Sequence, residues 1–199
     1  MLSVLLGEQS DNLKHILKFY LPKGSKILDV TYGHGKIWSS ISKDCYKVVT
    51  NDIDPESLAK YHHSFNNLEL ISKEYGKFDA ILYDPPYKYG KSSYILNEVD
   101  DKDWRPIKTK WRVIDQVTSA QTLNIILPEI LKPNGSLIVK IMDTRYQGNL
   151  IPNHMLLIQE FKNFRLKDIY IYIRLLVGLF KNLKTPQTAH GFYLIFKLL

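Results

Sequence analysis

The chain has 199 residues, of which 45% are hydrophobic and 24% charged, with a formal net charge of +7 and a pI of about 9.3. This length and balance predict a single soluble globular domain over 1–199 with a substantial core, and they exclude a disordered or fibrous chain. No apolar run reaches the roughly 20 residues of a membrane span, and Met1–Glu8 lacks the basic and long apolar regions of a signal peptide. The one cysteine, Cys45, permits no internal disulfide, so a cytoplasmic location is expected and the thiol is read as structural. The excess of Lys and Arg favours a polyanionic partner.

In chain order, Gln9–Leu21 reads as an amphipathic helix with Ser10 as its N-cap and apolar Leu13, Ile16, Leu17 and Tyr20. Pro22-Lys23-Gly24 stops it. Lys26–Val30 is a strand, followed by the glycine turn Thr31-Tyr32-Gly33-His34-Gly35 and a helix over Lys36–Ser42. Strand, glycine turn and helix form the nucleotide-binding unit of doubly wound sheets. Trp38 occupies the third-glycine position of a dinucleotide site, which argues against a nicotinamide cofactor. Tyr46–Thr50 is the next strand. It ends at Asp52, which follows Asp29 at about the 20-residue spacing that places a carboxylate on a ribose. Ile53 is then set to lie on an adenine face, and Asp54 caps a helix over Pro55–Phe65. His62 and His63 point about 100° apart on such a helix, so no metal site is expected. Leu68–Ile71 reads as a third strand, with Glu74 a weak candidate for an adenine amino group.

Phe78–Tyr83 is a buried strand that runs into Asp84-Pro85-Pro86-Tyr87. Two prolines fix φ and remove two donors, so the chain leaves the sheet as a stiff extended turn whose carbonyls can face a ligand. Asp84 adds a carboxylate and Tyr87 a flat ring. Acceptors beside a stacking ring suit a planar amino-bearing group such as a flipped nucleobase. The segment at about 88–118 is long for a loop. It alternates Tyr89, Trp104 and Trp111 with Arg105, Lys108, Lys110 and Arg112. That composition fits stacking on bases and pairing with phosphates, and equally a self-packed lid. Ser119–Leu131 is a helix closed by Lys132-Pro133-Asn134-Gly135, and Ser136–Met142 is a strand broken by Lys140 and followed by Asp143. Those two charges either pair with each other or line the rim of a site. A helix over Ile151–Phe164 and strands over Asp168–Leu176 and Gly191–Leu198 complete the chain.

Asp84-Pro85-Pro86-Tyr87 resembles the catalytic motif of the S-adenosylmethionine (SAM)-dependent amino-methyltransferases that act on nucleic acids, in the form typical of adenine-N6 enzymes. Asp29-x-Thr31-Tyr32-Gly33-x-Gly35 resembles their first cofactor motif, with Thr31 where many members carry Phe or Ala. Lys140 with Asp143 resembles a feature of a small phage-like group. The resemblance runs from Asp29 to Lys197 and implies a Rossmann-like α/β fold. Its sheet would have seven mostly parallel strands, the last inserted antiparallel, with helices on both faces. It further implies SAM as cofactor, held by Asp29, Thr31, Tyr32, Gly33, Gly35, Asp52 and Ile53. The acceptor would be an exocyclic nucleobase amine, adenine N6 in DNA first of all. Catalysis would fall to Asp84, Pro85, Pro86 and Tyr87. Tyr89, Trp104, Arg105, Lys108, Lys110, Trp111, Arg112 and Lys140 are candidates for substrate contact. RNA amino-methylation, protein-glutamine methylation and a silent SAM-fold nucleic-acid binder are the alternatives. The first helix would cover the methionine end of SAM or simply pack on the sheet.

Overall fold

The strand that runs into Asp84 is the centre of the molecule. Along β4, Phe78–Tyr83, every side chain except Asp79 is buried, as expected for a parallel strand covered on both faces. The structure, a computed structural model, describes residues 3–85, 113–146, 149–173 and 190–199. The remaining elements are β1 (Val4–Leu6), α1 (Gln9–Tyr20), β2 (Lys26–Asp29), β3 (Lys47–Thr50), α2 (Leu68–Tyr75), α3 (Val113–Ile130) and β5 (Leu131–Ile141). They are followed by a hairpin of β6 (Thr144–Tyr146) and β7 (Asn149–Ile151), then α4 (Asn153–Glu160), β8 (Phe164–Ile173) and β9 (His190–Leu198). The main sheet has seven strands in the order β1-β8-β9-β5-β4-β2-β3. Pairings are parallel throughout except on the two sides of β9, which is inserted antiparallel between β5 and β8.

Alternating side chains of the sheet feed two cores. On one face Leu28, Ile81, Val139 and Leu194 pack with Leu68 and Ile71 of α2, Leu123 and Leu127 of α3, and Leu157 of α4. On the other, Ile27, Ala80, Leu82, Ile138 and Ile195 pack with Leu13, Ile16 and Leu17 of α1 and with Ile37. Among the described residues no helix is long and apolar enough to cross a membrane.

Several local expectations are corrected. The N-cap of α1 is Glu8, not Ser10; Ser10 is buried and its hydroxyl meets that of Ser40 at 2.9 Å. The helix expected over Lys36–Ser42 is a single 3-10 turn, Lys36–Trp38, extended by the i→i+3 bond from Ile41 N–H to the Trp38 carbonyl. Pro55–Phe65 is not a helix, because β3 takes its backbone groups. Lys60 N–H donates to Thr50 Oγ1 at 2.8 Å, Tyr61 N–H to the Thr50 carbonyl at 3.1 Å, and His63 N–H to Asn51 Oδ1 at 2.9 Å. Asp54 does cap locally, accepting the Glu56 N–H at 2.9 Å.

The expected third strand, Leu68–Ile71, is the first turn of α2. Leu68 and Ile71 are buried at i, i+3 while Leu70 is exposed, which is helical and not strand periodicity. The count of seven strands is restored at the opposite edge by β1, which the sequence reading left unassigned. Helix α3 begins at Val113 and not at Ser119, so it takes in the end of the segment read as irregular. The Pro-Asn-Gly turn survives as an exposed excursion at the start of β5, where the register with β4 jumps between Phe78–Leu131 and Ala80–Ser136. The helix expected over Ile151–Phe164 is shortened to α4, and β8 starts at Phe164, ahead of Asp168.

Candidate active site

The chain passes from β2 to β3 on one side and then to β4 on the other. The carboxyl ends of β2 and β4 therefore flank the switch-point crevice in which open α/β sheets bind ligands. Asp29 ends β2 there and is 1% exposed. Its Oδ1 accepts the Thr31 N–H at 3.0 Å and its Oδ2 accepts the Trp38 Nε1–H at 2.7 Å, so it pins both ends of the glycine turn. Burial pushes the Asp29 carboxyl up to about 7; those two donors oppose the shift, and the charges of Asp84 and Asp52 add to it.

The turn itself needs its glycines. Gly33 and Gly35 have φ of 56° and 69°. At Gly35 a Cβ would come within 2.4 Å of the Tyr32 hydroxyl oxygen, because the Tyr32 ring lies against it. Asp52, 6% exposed, closes the loop from the neighbouring strand end. Its Oδ2 accepts the Gly33 N–H at 2.7 Å and its Oδ1 the Asp54 N–H at 2.9 Å. Ile53 and Leu58 stand exposed beside this loop, and the Leu58 N–H reaches the Gly33 carbonyl at 2.8 Å.

Asp84 lies across the crevice. Its N–H donates to Thr31 Oγ1 at 2.8 Å, which ties the glycine turn to the start of the tetrad. Its carboxylate takes the Lys140 ammonium at both oxygens, 3.0 and 2.9 Å away. Lys140 therefore pairs with Asp84 and not with Asp143. Asp143 instead holds the start of α4, with its Oδ1 2.7 Å from His154 Nδ1 and accepting the His154 N–H at 3.3 Å.

The structure thus brings Asp29, Thr31, Tyr32, Gly33, Gly35, Asp52, Ile53 and Asp84, with Lys140, to one crevice, and Pro85 follows directly. Pro86, Tyr87, Tyr89, Trp104, Arg105, Lys108, Lys110, Trp111 and Arg112 lie outside the described residues. Glu74 is not at the site. It stands at the end of α2, near the amino end of β4, and accepts the Tyr61 hydroxyl at 2.6 Å.

Two residues of this site, Asn51 and Trp38, escaped the sequence reading, and Thr31 was read without its partner. Asn51, fully buried, clamps His63 through both side-chain atoms and accepts the Tyr32 N–H on its carbonyl at 3.0 Å. Trp38 was noted only as a missing glycine. The Thr31 hydroxyl was visible as a polar residue where an apolar one is usual, and its partner was not.

No family model matches the sequence, and no curated protein matches it. Solved structures do match. An rRNA methylase from Streptococcus thermophilus superposes with a TM-score of 0.53 at 13% identity, over 97% of this chain and 98% of that one. A SAM-dependent methyltransferase from Methanosarcina mazei gives 0.51 at 13% identity, over 92% and 97%. TrmN from Thermus thermophilus gives 0.54 at 13% identity, over 94% of this chain and 48% of TrmN, so the chain spans about half of that protein. With its glycine turn, its strand-end carboxylates and the inserted antiparallel β9, the chain has the Rossmann-like fold of the SAM-dependent methyltransferases.

Proposed function

We propose that the protein transfers a methyl group from SAM to an exocyclic amino group of a nucleobase, adenine N6 in DNA first of all. The observation that carries this reading is the position of Asp84. A carboxylate sits at the carboxyl end of β4, one hydrogen bond from the glycine turn through Thr31, and is followed by Pro85. The cofactor fits the residues present. An ionised carboxylate accepts about four hydrogen bonds, so Asp52 can hold its two N–H groups and a ribose hydroxyl as well. Ile53 and Leu58 offer apolar surface beside it for a purine ring. When bound, SAM supplies an electrophilic methyl group on a sulfonium centre.

An exocyclic amine is a weak nucleophile because its lone pair is delocalised into the ring. The Asp84 carboxylate and the Pro85 carbonyl accept its hydrogens and turn its lone pair out of the ring plane. Catalysis is then positioning and electrostatics without a covalent intermediate. Tyr87 stacks on the base, and the cationic surface holds phosphates.

RNA is the second reading, favoured by the rRNA methylase among the structural neighbours. Incubation with labelled SAM and separate DNA, RNA and protein pools, followed by nucleoside analysis, decides the acceptor. N6-methyladenine in DNA is the expected product. Label in protein alone refutes the proposal.

A further inference from the structure

Lys140 interrupts an otherwise apolar central strand. Its side chain is only 2% exposed. An ammonium there is tolerated only with a charged partner, since an isolated buried charge is strongly disfavoured. Lys140 pairs in register with Tyr193 of β9, and its Nζ lies 5.7 Å from the centre of the Tyr172 ring. Tyr172 and Tyr193 pack ring to ring at 5.4 Å. Tyr172 is itself wedged against Gly191, where a Cβ would come within 2.5 Å of its ring. This tyrosine shelf directs the ammonium toward β4, where it meets both oxygens of Asp84.

A carboxylate on one methylene has a broad terminal torsion and does not hold an orientation by itself. Contact with one cation at both oxygens removes that freedom, while the Asp84 N–H is fixed separately by Thr31.

We propose that Lys140 is the positioning residue of this site, holding the Asp84 carboxylate in the one orientation that receives the acceptor amine. This rests on the reading of Asp84 given above. In this role Lys140 acts on the acceptor through Asp84, in place of the direct substrate contact expected from the sequence. The pair also leaves the acceptor end of the crevice with no uncompensated charge at Asp84, which suits a neutral conjugated amine.

The test compares Lys140→Met, Lys140→Arg, Asp84→Asn and the double variant Asp84→Asn/Lys140→Met. A reacting group displaced by about 1 Å loses roughly a hundredfold in rate, so Lys140→Met is expected to lower kcat by about ten- to a hundredfold. Its SAM dissociation constant by calorimetry should stay within about twofold, and Lys140→Arg should recover part of the rate. In the Asp84→Asn background Lys140→Met should add almost nothing, whereas a merely structural lysine would reduce activity in both backgrounds. A crystal structure of Lys140→Met should show the Asp84 carboxylate turned away from its present place. Lys140→Gln, neutral and polar, serves if the Met variant does not fold. Unchanged kcat in an active protein, or an unmoved Asp84 carboxylate, overturns the proposal. If the wild type transfers methyl to no nucleic acid, the functional reading fails while the variant structure still decides the positioning role.

Discussion

Replacing Thr31 by Val removes one hydroxyl and nothing else of comparable size. Thr31 Oγ1 is the acceptor for the Asp84 N–H at 2.8 Å, a bond that joins the glycine turn to the start of the tetrad. The substitution is nearly isosteric, so no cavity term enters. What remains is a lost hydrogen bond and a part-buried N–H without that acceptor, together worth about 1–3 kcal/mol. For a domain of this size each kcal/mol lowers the melting temperature by roughly 2–4 °C, so a drop of about 5 °C is expected. The same loss expressed in the transition state, at 1.36 kcal/mol per decade, lowers kcat by about five- to a hundredfold. Thr31→Ser keeps the oxygen and should remain within about twofold of wild type. Differential scanning calorimetry and single-turnover methyl transfer give the two readouts. If Thr31→Val melts and reacts like wild type, the turn and the tetrad are not coupled through this hydroxyl, and the site model built on it is wrong.

Asp52→Ala should weaken SAM binding by about ten- to a hundredfold, because it removes the proposed ribose acceptor and releases the Gly33 N–H; isothermal titration that finds wild-type affinity would move the ribose contact elsewhere. Asp29 carries a pH signature. Its carboxyl is pushed up to about 7 when folded, against about 3.9 when unfolded, so the native state keeps a proton that the unfolded chain releases. The stability this contributes is full below about pH 4 and is lost as pH rises through about 7. Urea titrations should therefore show wild type losing stability over that window relative to Asp29→Asn; parallel curves would reject the shift. Replacing Arg105, Lys108, Lys110 and Arg112 by Ala should weaken nucleic-acid binding and lower its salt slope by about one unit per lost phosphate contact, with SAM affinity unchanged. A wild-type slope would leave Lys181 and Lys184 as the next candidates.

The parts of the fold that could be read from the sequence are those dictated by local pattern. β2, β4 and β9 are apolar runs that fit buried strands, and α1 shows an uninterrupted helical stripe. Failures came where long-range bonds overrode local preference. Pro55–Phe65 has a helical apolar spacing, yet Thr50 and Asn51 take its donors. Leu68–Ile71 is too short for its period to be judged by eye, and the exposure of Leu70 reveals the helix only once the sheet is in place. β1 is three residues of unremarkable composition, and its partner β8 lies at the far end of the chain. At the site, the break at Lys140 pointed to something polar, but the partner offered for it was Asp143, just past the end of the strand. The real partner depends on the β4–β5 register, which no local pattern encodes.

That inserted β9 also bears on how the chain folds. β2, β3, β4 and β5 form a contiguous parallel sheet whose pairings lie between Lys26 and Val139. Among the described strands, β8 joins this sheet through β9, and β1 joins it through β8. Pairing Val4 with Ile171 closes nearly the whole chain into one loop, the kind of high-contact-order closure that slows folding. By the same loop-closure cost β8 and β9 pair with each other locally, since Ile173 meets His190, and β1 is the strand expected to join last. Tyr172, Tyr193 and Gly191, which shape the slot for Lys140, all belong to this β8–β9 pair. A chain in which β9 had not docked on β5 would hold the glycine turn while leaving the Asp84 carboxylate unbraced.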